Sequence, residues 1–137
     1  MDLFGRINPM RHFFVFAVVG ILGATMAWGV SAQSLDPSTV TEPAATPEIN
    51  LGKMNYQAFC QKCHGVNGAG TDKGPPFLHK VYQAGHHGDQ SFYMAAKNGA
   101  QAHHWKFGDM PPVEGVNEAQ VEKIIVYVRA LQKANGF

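Results

Sequence analysis

Residues 59–65 read FCQKCHG, and they hold both cysteines of the 137-residue chain. Two thiols three residues apart, with an imidazole directly behind, limit what the surrounding chain can be. They can make a redox dithiol, a disulfide, part of a metal site, or the anchor of a covalently bound group. A disulfide within one C-x-x-C turn closes so small a loop that it hardly restrains the unfolded chain. A thioredoxin-like dithiol wants a strand before it in a βαβ setting, and none is visible ahead of Cys60. A closed zinc site wants four ligands, and the chain has no second cysteine pair. Cys-x-x-Cys-His is also the attachment motif of c-type haem. On that reading the thiols of Cys60 and Cys63 join the two vinyl groups of the porphyrin, and His64 lies under the iron as its proximal ligand. It is the one reading that uses all three residues.

The first 32 residues are set apart by composition. Arg6, Arg11 and His12 form a basic start, and residues 13–30, FFVFAVVGILGATMAWGV, carry no charge. Val30-Ser31-Ala32 then offers the small residues that a signal peptidase wants, with Gln33 as the new N-terminus. The uncharged run reaches the lower limit of a membrane-spanning helix. Residues 1–32 therefore read as a signal peptide or as a retained anchor, with possible membrane anchoring through residues 13–30. Both readings export the rest, with the basic end left in the cytoplasm. The expected location is periplasmic, soluble or tethered to the inner membrane. Residues 33–49 are rich in Pro, Thr and Ser without apolar periodicity, and read as a linker that cannot bury enough surface to order itself. With the signal region set aside, basic and acidic residues cancel, so no basic stripe speaks for a nucleic-acid partner.

Residues 50–137 form the expected domain, small enough for a single core to need a staple. Three helices are predicted. Asn50 is placed to cap one that runs through Tyr56 and Phe59 into the cysteine motif. Asp89 is placed to cap a second, QSFYMAAKN, which Gly99 ends. Asn117 and Gln120 make a capping box for a third, in which Val121, Ile124, Ile125, Val128 and Leu131 recur at helical spacing. Between the first two lies a long loop, GVNGAGTDKGPPFLHKVYQAGHHG. A loop so long in so small a domain is expected to wrap something. No stretch alternates like a strand.

From about Leu51 to Leu131 the chain resembles the class I c-type cytochromes, in particular compact bacterial monohaem ones. Gly52 and Tyr56 precede Cys60 as in the family's N-terminal helix. Tyr127 in KIIVYVRAL is similar to the aromatic of its C-terminal helix. KGPPFL (73–78) resembles the family's Gly-Pro segment, and FGDMPPV (107–113) its Met-Pro loop. The resemblance implies an all-α cytochrome c-like fold, three to four helices wrapped round one covalently bound haem c. It implies that the N-terminal and C-terminal helices cross at Gly52. It implies that the Pro75 carbonyl accepts from His64 Nδ1–H, and that Met110 supplies the second axial ligand opposite His64. The cluster AHHW (102–105) is not part of the general pattern.

Other side chains compete for the sixth position. Met54 lies one and a half turns before Cys60 and cannot reach across the ring. Met94, in mid-helix, reads as core. Adjacent His103 and His104 are rivals, although paired loop histidines are more often solvated. His86 and His87 read as surface residues, with a copper or nickel site as a lesser alternative. Trp105 is either plain core or the donor of an indole N–H to a haem propionate, because a buried indole wants a partner.

A His/Met iron has no open position, which suits outer-sphere electron transfer and not chemistry on a bound substrate. No nucleophile–base pair or carboxylate dyad is visible, so the chain is not expected to be an enzyme. The expectation is a periplasmic electron carrier whose partners are redox proteins: an oxidase, a reductase or a dehydrogenase. A haem subunit bound tightly to a membrane oxidase or dehydrogenase is the alternative. A haem-based sensor is less favoured, because no output domain is present.

Overall fold

Helix α1 (Pro47–Phe59) begins where Thr, Pro and Glu stand in a row. The Thr46 hydroxyl accepts from the Ile49 amide at 3.2 Å. Pro47 occupies the first helical position, where no amide hydrogen is needed, and Glu48 sets an anion against the positive end of the helix. Asn50, the expected cap, therefore lies inside the first turn, because the helix has already been started by a stronger signal upstream. The helix breaks at Cys60, and a short second helix, α2 (Gln61–His64), carries the motif. Helices α3 (Asp89–Asn98) and α4 (Glu118–Ala134) follow.

The computed structural model describes residues 34–137. The signal or anchor expected over residues 1–32 lies outside the described residues. Among the described residues there is no strand, only a single bridge between Ala100 and Met110. No helix among them is long and apolar enough to cross a membrane. The all-α expectation holds.

The third predicted helix is the best matched. Asn117 accepts from the Gln120 amide at 2.9 Å, and the Gln120 side chain accepts from the Asn117 amide at 3.0 Å. Its apolar stripe, Ile124, Tyr127, Val128 and Leu131, is buried with Tyr56, Phe77 and Leu78 in one core. Each such side chain contributes about 1.5–3 kcal/mol by leaving water. Helices α1 and α4 cross at Gly52, where a Cβ would lie 2.2 Å from the Lys123 carbonyl oxygen and 2.8 Å from Tyr127 Cβ. Glycine is therefore required at the crossing. In α3 the capping expectation needs correction. Gly88 is the N-cap and Asp89 the first helical residue, since the Asp89 carboxylate instead accepts from Arg129 Nε at 2.8 Å. Gly99 does end that helix, at φ 76°.

The linker expectation is corrected as well. Residues 34–46 form a strap tied to the domain. The Leu35 amide donates to the Ala69 carbonyl at 2.7 Å. Thr41 exchanges hydrogen bonds with the Asn135 side chain at 2.9 and 2.8 Å. Glu42 pairs with Lys53 and accepts from Asn67 Nδ2 at 3.2 Å. The strap orders without a core of its own because partners distant in sequence take up its polar groups.

Candidate haem site

The long loop wraps a cavity of about 310 Å³, a size usual for small-molecule sites. Its walls come from every part of the domain: Phe59 from α1, Cys60 from the break between α1 and α2, Phe77 and Tyr82 from the loop, Phe92 and Ala95 from α3, Ile124 from α4. His64, Pro75, Trp105 and Met110 line it too, so four of the residues singled out in the sequence meet here with Cys60. Cys63 is exposed on the next turn, and no disulfide joins it to Cys60.

His64 is buried against the stacked ring of Phe77, with centroids 4.2 Å apart. Its Nδ1 lies 3.0 Å from the Pro75 carbonyl oxygen. A carbonyl can only accept, so Nδ1 carries the proton and Nε2 keeps its lone pair. Burial lowers the histidine's pKa, and the Pro75 hydrogen bond opposes that shift in part. The ring is thus held as a neutral ligand of fixed tautomer, the form that metal-bound histidines take. The loop reaches the motif closely: a Cβ on Gly74 would lie 2.8 Å from the Cys63 carbonyl oxygen. The Thr71 hydroxyl donates to that same oxygen at 2.6 Å. Burial pushes the Cys60 thiol up to about 12, with the neighbouring Cys63 adding to it.

Two backbone hydrogen bonds of 2.9 Å between Ala100 and Met110 pin the Met110 loop to the end of α3. A Cβ on Gly99 would lie 2.4 Å from the Met110 carbonyl oxygen, so this approach also needs glycine. Met94 corrects the sequence reading. It is 51% exposed and lines the cavity rim, where it was expected in the core. Met54 is exposed and lies outside the cavity lining.

The Trp105 indole Nε1 is a buried polar atom with no hydrogen-bond partner among the described residues. The Tyr82 phenol feels the indole, which lowers its pKa against the larger upward effect of burial, but the two are not in hydrogen-bonding geometry. An orphaned donor in the wall of an apolar cavity fits a bound group that carries an acceptor there. Two thiols, a neutral imidazole, a thioether, apolar walls and an orphaned donor together suit haem c.

Sequence reasoning missed Arg129, which anchors one wall. Its guanidinium donates to the Tyr82 carbonyl at 2.6 Å, the His87 carbonyl at 2.7 Å and the Asp89 carboxylate at 2.8 Å. An arginine in the last third of an amphipathic helix looks like surface in a sequence, and nothing local marks its distant partners. Sequence reasoning also left the two histidine pairs apart. His87, His103 and His104 all line the cavity.

No curated protein and no solved structure matches the chain. A family model described as cytochrome c matches residues 49–132. That span takes in more than half of the chain, from the first turn of α1 through the motif and the loop to the end of the α4 stripe. With the cavity built inside the same span, the chain belongs to the cytochrome c family, and its cofactor is covalently bound haem c.

Proposed function

We propose that the protein is an exported, periplasmic electron carrier whose haem iron is ligated by His64 and Met110. When bound, the haem supplies a centre that gains and loses one electron. Cys60 and Cys63 hold it by thioether bonds. Pro75 fixes the His64 tautomer, and Trp105 donates its indole N–H to a propionate. Apolar walls keep water from the iron. The observation that carries this reading is that His64 and Met110 line one cavity, each on a backbone segment locked by hydrogen bonds. With His64 and Met110 both holding the iron, the site would carry electrons to and from partner redox proteins. The uncharged run over residues 13–30 supports export, by a cleaved signal or a retained anchor.

Met110→Ala tests the ligation. The ferric wild type should show the near-infrared sulfur-to-iron charge-transfer band. The variant should lose it, bind carbon monoxide in the ferrous form and show a lower midpoint potential, since a thioether favours ferrous iron. His103→Ala and His104→Ala in the Met110→Ala background show whether either histidine captures the vacated position. A band that persists in Met110→Ala and vanishes in Met94→Ala moves the ligand to α3. Cell fractionation and intact mass decide export: a haem-loaded form confined to the cytoplasm would overturn it.

A further inference from the structure

Beside the haem cavity, two loops far apart in sequence bring four imidazoles together. His86 and His87 belong to the turn before α3, and His103 and His104 to the loop after it. One ring nitrogen from each of His86, His87 and His104 lies within 4.8 Å of those of the other two. His86 Nε2 and His104 Nε2 are 3.1 Å apart. Two imidazole nitrogens at about 2.05 Å from one metal ion are separated by about 2.9 Å at a right angle and about 3.3 Å at the tetrahedral angle. The observed separation falls between the two.

The arrangement is also supported from behind, as metal-binding imidazoles usually are. His87 Nδ1 lies 2.7 Å from the Val81 carbonyl oxygen, so Nδ1 donates and Nε2 keeps its lone pair. The His87 carbonyl is gripped by Arg129, and the amides of His86 and His87 both donate to the Gln83 carbonyl at 2.9 Å. On the other loop the Asp109 carboxylate accepts from the Ala102 amide at 2.9 Å, just below the pair. His103, stacked on His87 at 5.7 Å between centroids, closes one side. A surface histidine pair has no need of such bracing. Among the described residues no carboxylate or thiolate joins the three nitrogens, and an all-imidazole set suits copper, zinc or nickel over magnesium or calcium.

We propose that His86, His87 and His104 bind one divalent late first-row transition metal ion, Cu(II) or Zn(II), at the wall of the haem cavity, and that the bound ion raises the midpoint potential of the haem. The second half follows from position. His87 and His104 line the cavity, and a positive charge beside a redox centre favours its reduced form. The ion site rests on the reading above in one respect, that His104 is not the sixth haem ligand, and is the same whether Met110 or Met94 holds that position.

The test uses the haem-loaded full chain. Zn(II) binding is followed by calorimetry, and Cu(II) is added to the ferric protein for EPR. One ion should bind, with a copper spectrum coupled to three nitrogens. Loss of a single supporting partner costs about 10–100-fold in metal affinity, so the double variant His86→Ala/His104→Ala should bind at least 100-fold more weakly. His79→Asn removes a neighbouring imidazole outside the trio and should leave affinity unchanged. The Soret band and far-UV circular dichroism report on the fold of each variant. If the double variant does not accumulate, His86→Ala alone, at an exposed side chain, carries the test. Unchanged affinity in that variant, coupling to fewer than three nitrogens, or an equal loss in His79→Asn would overturn the site. Trio-dependent binding of Zn(II) that leaves the haem potential unmoved would overturn the coupling.

Discussion

Trp105 shows how a single atom distinguishes two roles. A buried N–H without a partner costs about 1–3 kcal/mol. If the indole were only core filling, Trp105→Phe would relieve that cost and hold or raise stability. If Nε1 donates to a haem propionate, the same change removes a charge-assisted bond. We expect Trp105→Phe to lower the melting temperature of the haem-loaded protein. It should also lower the midpoint potential, because an unshielded propionate favours ferric iron. Protein-film voltammetry measures the second effect, and an unchanged potential with raised stability would return Trp105 to plain core. His64 works on the same scale: the Pro75 hydrogen bond settles its tautomer, and burial keeps it from competing for a proton.

At the scale of helices and loops, the crossing of α1 and α4 leaves no space for a methyl group at Gly52. Gly52→Ala should separate the helices and cost about 1–3 kcal/mol, typical of overpacking, measured by denaturant unfolding. The strap makes a different prediction. Hydrogen bonding from Lys53, the largest effect, holds the Glu42 carboxyl below its ordinary value of 4.5. A depressed carboxylate stabilises fully above that ordinary value, and the contribution is lost as pH falls through the lower folded value. The protection of amides over residues 34–46, taken relative to their intrinsic exchange rates at each pH, should therefore fall below about pH 4.5, and Glu42→Gln should show the lower protection already at neutral pH. Much of this scale was legible in the sequence, and the reasons are local. The Asn117–Gln120 box and the stripe of α4 depend on residues three and four apart. Asn50 misled because Thr46 and Pro47 form an equally local signal that lay inside a stretch read as linker. The strap, the Arg129 grip and the meeting of the histidine pairs rest on contacts across 11 to 94 residues, and no local pattern records those. The Cys-x-x-Cys-His motif announced its chemistry because the bonding group itself requires that spacing. The half-exposed Met94 did not, since a mid-helix methionine looks the same on a core face and on a cavity rim.

At the scale of the whole molecule, the domain is built round what it holds. The Cys60→Ser/Cys63→Ser double variant should carry no haem after acid–acetone extraction. Without it, the walls of the 310 Å³ cavity lose their main contact. In a domain of this size a loss of only ~2 kcal/mol moves the melting midpoint by roughly 10 °C, and calorimetry should show at least that. The nature of those walls has a consequence for speed. When an electron arrives, every nearby dipole that can turn will turn, and the work of turning sets how fast the next electron can leave. Phe59, Phe77, Phe92, Ala95 and Ile124 offer almost nothing that turns. His64, which faces the cavity, is already held in one orientation by the Pro75 carbonyl. A lining chosen for dryness thus also keeps the surroundings nearly still between the two oxidation states.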